Sequence, residues 1–483
     1  MKRHFTLIFV SFIFCFRLLT AQVIDIPFTG DYPDPTIVRV GNDFYMTHTS
    51  HVYYPGLLIW HSVDLKKWTP LTRALHTFLG SVWAPELVCH KGKYYIYIPT
   101  GRGHIYVITA DHPKGPWTEP VELDARGIDP GHIVGKNGKR YLHISGGRMH
   151  ELSDDGLSVT TAEKKVYNGW KYPADWAVEC FCLESPKLIF HNNYYYMVSA
   201  QGGTSGPSTS HMAVVARSKS CEGPWENSPY NPLIHTYNPF DTWVSKGHAT
   251  LFNDASGNWF IVYHACQPGK RPQGRSTLIE PVVWTDDGWP RTSYPPDTDT
   301  YRLHQNTALE SDDFSAPTLK WQWFFWGVES ADEYALQDKK LILHGKEGKT
   351  KALMAVASQA DYEVTVKVKA DAGVETGLTL FYDENQYVGI GMKDGKAYGL
   401  SRGKPAWGEV KAEGCQYLRL QVAAYTVSLS YSVDGETWLH YHAGFDASGY
   451  HTNMLGDFSS LKPAILCKGN GKITVESFTI KPL

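Results

Sequence analysis

Five residues able to give or take a proton, Asp34, Glu86, Asp129, Glu184 and His248, open the same local pattern. From each, an apolar run leads to a turn containing Gly or Asn and then to an aromatic-rich run. Asp34 leads to GNDFYM, Glu86 to GKYYIY, Asp129 to GKRYLHI, Glu184 to NNYYYMV and His248 to GNWFIVY. The first aromatic after the turn (Phe44, Tyr94, Tyr141, Tyr194, Trp259) falls 10, 8, 12, 10 and 11 residues beyond its opener. Carboxylates and an imidazole are the groups of general acid–base chemistry. A carboxylate at a strand start can instead satisfy turn amides. Turn capping, however, does not call for a titratable group in every copy, so the pattern points to an enzyme.

Positioning these groups together requires a repeat architecture. The aromatics recur 50, 47, 53 and 65 residues apart, the last gap holding an insertion, and repeats of this length built from short strands predict a β-propeller of five blades. Innermost strands of a propeller start at one face of the disc, so the five openers should converge on one mouth. Outer strands end in Gly-Pro-Trp or Lys-Trp corners at Trp68, Trp117 and Trp225, read as packing between blades. Insertions at Ala162–Leu183 and Asn227–Lys246 precede Glu184 and His248 and are expected to build the pocket rim. Their Trp170, Trp176 and Trp243 are candidate sugar platforms or rim packing.

With 483 residues, Lys+Arg 46 against Asp+Glu 49 and a net charge of -3, the chain carries no nucleic-acid footprint and is long enough for two domains. Residues 1–21 read as a signal peptide: Lys2 and Arg3, an apolar run from Phe5 to Phe16 too short to span a bilayer, and Leu19-Thr20-Ala21 before Gln22. Export is the expectation, with no membrane span. Beyond Cys15, seven cysteines at irregular spacing form no disulfide framework. Cys180 and Cys182, just before Glu184, are read as small buried side chains or as a thiol near the site. No zinc or phosphate-loop pattern is present.

The propeller is expected over 22–295 and a strap or linker over 296–311. From 312 to 483, short strands such as KLILHG, DYEVTVKVKA and TVSLSYSVDGETW alternate apolar and polar residues between Gly and Asp turns, which predicts a two-sheet β-sandwich. The fold class is therefore all-β.

The elements YPDPTIVRVGNDFYM, WAPELVCHKGKYYIY, IDPGHIVGKNGKRYL, ESPKLIFHNNYYYM, GHATLF and GRSTLIEPVVWTDDGWP resemble glycoside hydrolase family 43, the inverting five-bladed propeller hydrolases of plant cell-wall pentose sugars. DDFSAPTLKWQW resembles the start of the jelly-roll, concanavalin-A-like sandwich appended to β-xylosidase-type members. The resemblance implies a general base at Asp34, a general acid at Glu184 and a residue tuning and orienting that acid at Asp129. It further implies Arg275, His248 and Trp83 as substrate-binding candidates beside Trp176 and Trp243 of the insertions, no required cofactor, and a hydrated calcium ion beside His248. Glu86 receives no comparable role and is left as a pocket-wall residue. Ser185 stands where the family usually has Gly.

Inversion at a glycosidic carbon needs a protonated carboxyl beside the leaving oxygen and an ionised carboxylate across the ring, roughly 6.5–9.5 Å away. The expected activity is exo-acting release of terminal α-L-arabinofuranosyl or β-D-xylosyl residues from plant polysaccharide or oligosaccharide. A carbohydrate-binding propeller without catalysis, or a retaining fructan-type hydrolase, are the alternatives.

Overall fold

In this computed structural model the described residues are 23–292, 300–327 and 334–483, so the expected signal segment lies outside them. Five antiparallel sheets form the blades of the N-terminal part. Their innermost strands are Thr36–Val40, Glu86–His90, Gly131–Val134, Glu184–His191 and Val244–Asn253. Each packs on the next and the last packs back on the first, closing the ring around a channel. Each innermost strand pairs with the aromatic strand predicted after it; Thr36–Val40, for example, meets Asp43–Thr47 in full register. Gly41 in the turn between them has a φ of 64°, a left-handed value that glycine adopts without steric cost.

Blade 5 is completed by the start of the chain. Val23–Phe28 lies antiparallel to Ser276–Trp284, so the two ends of the propeller are sewn into one sheet. Thr300–Leu303, inside the span expected as linker, adds parallel to Val23–Ile26 and is a strap on that blade's edge. The preceding residues 296–299 of that span lie outside the described ones.

The strand openings share a backbone kink. Asp34, Asp129, Ser185 and His248 have φ of 56°, 54°, 51° and 56°, a region that costs a non-glycine residue about 1–2 kcal/mol. With Ala84 of blade 2 at 32°, the kink recurs at the equivalent place in all five blades, is held by the surrounding structure and turns Asp34, Asp129 and His248 to the mouth. At Ser185 the backbone favours glycine, and nothing in the structure explains serine there: its hydroxyl is buried with no hydrogen-bond partner among the described residues.

The C-terminal part is a sandwich of two sheets, one of seven strands and one of eight, the eighth strand of the latter being lent by the propeller. Between them lies a continuous core that includes Leu341, Val364, Leu378, Ile390, Leu420 and Ile465. Helix among the described residues is limited to a 3-10 turn, Arg271–Gln273, and one α-helical turn, Thr452–Leu455. None is long and apolar enough to cross a membrane.

Three kinds of contact join the two parts. Tyr53–Tyr54 of blade 1 pairs with Phe324–Trp326 at the edge of the larger sandwich sheet. Phe28 and Trp60 of the propeller share one apolar cluster with Phe324, Met354 and Leu466 of the sandwich. Lys462 of the sandwich donates to Asp31 Oδ2 at 2.9 Å, with both side chains 1 % exposed.

Candidate active site

Asp34 sits at the mouth of the channel, gripped on both carboxylate oxygens. Arg275 donates to Oδ1 at 3.0 Å, His264 Nδ1 lies 3.0 Å from the same oxygen, and the Thr49 hydroxyl donates to Oδ2 at 2.5 Å. Burial alone would raise its pKa. The charges of Arg275 and His248 and the hydrogen bond from His264 outweigh that effect and hold the carboxyl well below the usual carboxylate range. Asp34 is thus a permanently ionised group suited to accept a proton from water.

Glu184 is tuned the opposite way. Burial, then the charge of Asp129, push its pKa up to about 8, although His248 and Arg275 pull in the other direction. His248 bridges the carboxylates: Nε2 donates to Asp129 Oδ2 at 3.1 Å and Nδ1 lies 3.9 Å from Asp34 Oδ1. Desolvation would lower the pKa of His248, but Asp34, Asp129 and Glu184 together raise it. Two carboxyls in one pocket with pKa values driven apart are the arrangement that separates an acid from a base.

A pH dependence follows. With the acid at about 8 and the base ionised throughout the working range, kcat/KM should fall on the alkaline side with a midpoint near 8. Asp129→Asn removes a negative neighbour, so ionising Glu184 becomes easier and the alkaline limb moves to lower pH. Burial remains the larger cause, so the midpoint should stay above the ordinary glutamate value of 4.5. An unmoved limb in a pH–rate series on the Asp129→Asn enzyme would show that this charge does not set the acid.

These residues line one cavity of about 620 Å³ counted to its open mouth, a size suited to a small ligand. Asp34, Asp129, Glu184, His248, Arg275 and Trp83 of the expected set all reach it. Trp83 fits because Gly101 leaves it room; a Cβ there would stand 3.2 Å from the indole. Glu86 is not in the wall. It lies deeper in the channel, ion-paired with Lys187 at 2.6 Å.

The other two tryptophans must be reassigned. Trp243 is 1 % exposed in a core with Ile24, Tyr196 and Leu251 and offers no face to a sugar. Trp176 stacks on His235 at 4.4 Å and does not line the cavity. The insertion Asn227–Lys246 thus supports the blade and contributes nothing to the pocket lining, whereas Ala162–Leu183 brings Glu179, Cys180 and Cys182 to it. Nor are those cysteines separate buried side chains or free thiols: they form a disulfide.

Sequence reasoning missed three ring-bearing residues of the wall. Phe458 comes from the sandwich, meeting Trp83 edge-on at 5.8 Å and lying under the Arg275 guanidinium at 5.5 Å. Its segment is tied down where Asn453 donates to the carbonyls of Ser205 and Gly206. His264 and His211 stack at 5.1 Å, and Gly247 is required beneath them because a Cβ would overlap the His211 ring. The aromatic strand Trp259–Cys266 carried a signal for His264; nothing in the local pattern marked His211 or Phe458.

Asp129, Glu184 and His248 are also the group among the described residues whose ligand atoms come within 4.8 Å of one another, close enough for a cation. The donor chemistry fits calcium poorly. His248 turns Nε2 to Asp129 Oδ2 and Nδ1 toward Asp34, so its ring nitrogens are committed to carboxylates, and the group offers two carboxyl groups where a calcium ion takes about six to eight oxygens.

The model for Glycosyl hydrolases family 43 matches residues 24–290, and that for the Beta xylosidase C-terminal Concanavalin A-like domain matches 311–476. A non-reducing end alpha-L-arabinofuranosidase of Bacteroides ovatus is 32 % identical over 328 residues, covering 62 % of this chain and 60 % of its own length. A beta-xylosidase of Bacillus subtilis is 29 % identical over 304 residues, with 54 % of this chain and 55 % of that one covered. The chain thus spans between half and two thirds of these relatives' length. The crystal structure of a xylan beta-1,4-xylosidase from Bacillus halodurans superposes with a TM-score of 0.82 at 25 % identity, covering 94 % of this chain and 99 % of that one.

Proposed function

The chain belongs to glycosyl hydrolase family 43, and from that membership we propose that it is an inverting, exo-acting glycosidase that releases terminal α-L-arabinofuranosyl or β-D-xylosyl residues from plant polysaccharide fragments. The observation that carries the reading is the opposed tuning of Asp34 and Glu184 in one cavity. Asp34 takes a proton from water as that water attacks the anomeric carbon, and Glu184 gives its proton to the departing glycosidic oxygen. Asp129 keeps the acid protonated, and Arg275 holds Asp34 ionised while facing the sugar. A cavity walled by both domains, with Trp83 on one side and Phe458 on the other, suits the end of a chain.

Both pentoses remain in the proposal because the relatives' names include an arabinofuranosidase and a xylosidase. Export belongs to the same reading; the Cys180–Cys182 disulfide is in keeping with an oxidising compartment. Calcium beside His248 is replaced by a reading without a metal: His248 serves through its own charge, binding Asp129 and facing Asp34. The deciding experiment is a panel of 4-nitrophenyl glycosides with NMR of the first-formed sugar. Turnover of the α-L-arabinofuranoside or the β-D-xyloside with inverted product is expected. A retained anomer would favour the fructan-type mechanism, and no turnover of any glycoside would favour a binding propeller.

A further inference from the structure

The innermost strand of blade 4 carries a second buried group, three residues beyond Glu184. Lys187, 3 % exposed, reaches across to blades 2 and 3. Its three N–H bonds meet three oxygens: Glu86 Oε2 at 2.6 Å, the Pro130 carbonyl at 3.0 Å and the Pro85 carbonyl at 3.1 Å. The Glu86 carboxylate in turn accepts from the Thr36 hydroxyl of blade 1 at 3.1 Å and from the His132 N–H of blade 3 at 3.3 Å. Four blades therefore meet on one ion pair, each within a few residues of its strand opening. Pro130 follows Asp129 directly, and Thr36 is two residues past Asp34.

A carboxylate and two peptide carbonyls converging on one point make the oxygen set that a hard cation takes. Here an ammonium with its three donors fills it. A buried ion pair contributes little net stability compared with apolar residues of the same volume, whereas removing one partner is costly. The pair's distinctive property is geometric. It ties together the kinked openings that aim Asp34, Asp129 and Glu184.

We propose that Lys187 is the resident cation of the channel: a positioning residue that holds the catalytic strand openings in register and removes the need for a divalent metal there. The inference rests on the glycosidase reading above.

Lys187→Met withdraws the ammonium at similar length but leaves Glu86 uncompensated. Lys187→Met/Glu86→Gln restores neutrality and guards against simple misfolding, and Lys187→Ala opens the oxygen set. Wild type should keep its activity and thermal midpoint in EDTA and in added calcium. Both Met variants, folded by circular dichroism, should lose about 10²-fold in kcat, the cost of displacing reacting groups by ~1 Å, with a shifted alkaline limb and little change in KM. Lys187→Ala should recover part of its rate, and gain thermal stability, with ethylammonium or calcium. Wild-type inactivation by EDTA with recovery on calcium would overturn the proposal. So would Met variants with unchanged kcat and pH profile, or a folded Lys187→Ala enzyme indifferent to both ions. Absence of wild-type turnover on any glycoside would instead strike the functional reading, and the thermal response of Lys187→Ala to ions would still report on the oxygen set.

Discussion

Asp34→Asn should cost about 10⁴-fold in kcat/KM, the upper end of what a positioned base supplies, on a natural oligosaccharide and on a 4-nitrophenyl glycoside alike. Activation of the attacking water does not depend on the leaving group, so a better leaving group gives no relief. The amide also loses the ionic partnership with Arg275 and weakens the contact with the neutral His264 imidazole that together fix the carboxylate. Because Arg275, His248 and His264 are then left facing a neutral side chain in a buried site, folding of the variant is checked first by circular dichroism. Recovery of Asp34→Asn on the aryl glycoside would reverse the roles of the two carboxyls.

Glu184→Gln should behave differently on the two substrates. A sugar alkoxide cannot leave without a proton, so loss on the oligosaccharide should approach about 10³-fold, while 4-nitrophenolate leaves unaided and the aryl substrate should lose about tenfold or less. The alkaline limb should vanish with the group that produces it, since Glu184 is the carboxyl raised to about 8. The two kcat/KM ratios, measured on the same preparation, decide the matter: equal loss on both substrates would remove Glu184 from the acid role.

Much of this site could be read from the sequence because the hairpin repeat fixes where a strand begins, and a propeller brings strand beginnings together. Asp34, Asp129, Glu184 and His248 needed only that rule. Arg275 and Trp83 came with the family resemblance rather than with any periodicity. The failures share a different cause. Whether Trp176 and Trp243 face a sugar or a core depends on how two long insertions fold back, and no local pattern encodes that. Phe458 belongs to another domain, and its approach to Trp83 is set by packing between sheets. The Cys180–Cys182 bond joins residues with a single residue between them, outside the spacings by which disulfide frameworks are recognised. At Ser185 the left-handed backbone shows why Gly is the expected residue, a constraint that no sequence pattern displays.

The contact between Lys462 and Asp31 bears on how such a chain can be inherited. The two family matches, 24–290 and 311–476, look like cassettes that recombination could shuffle. Cut between them, the propeller would lose the cation paired with Asp31, three residues from Asp34, and would lose Phe458 from the pocket wall. The apolar cluster that Phe28 and Trp60 share with Phe324, Met354 and Leu466 would be opened to water by the same cut. A crossover there would deliver a catalytic half that is both loosened and incomplete. The pocket is then a property of the pair of domains, and a substitution at Phe458 in the sandwich bears on its wall as directly as one at Trp83 in the propeller.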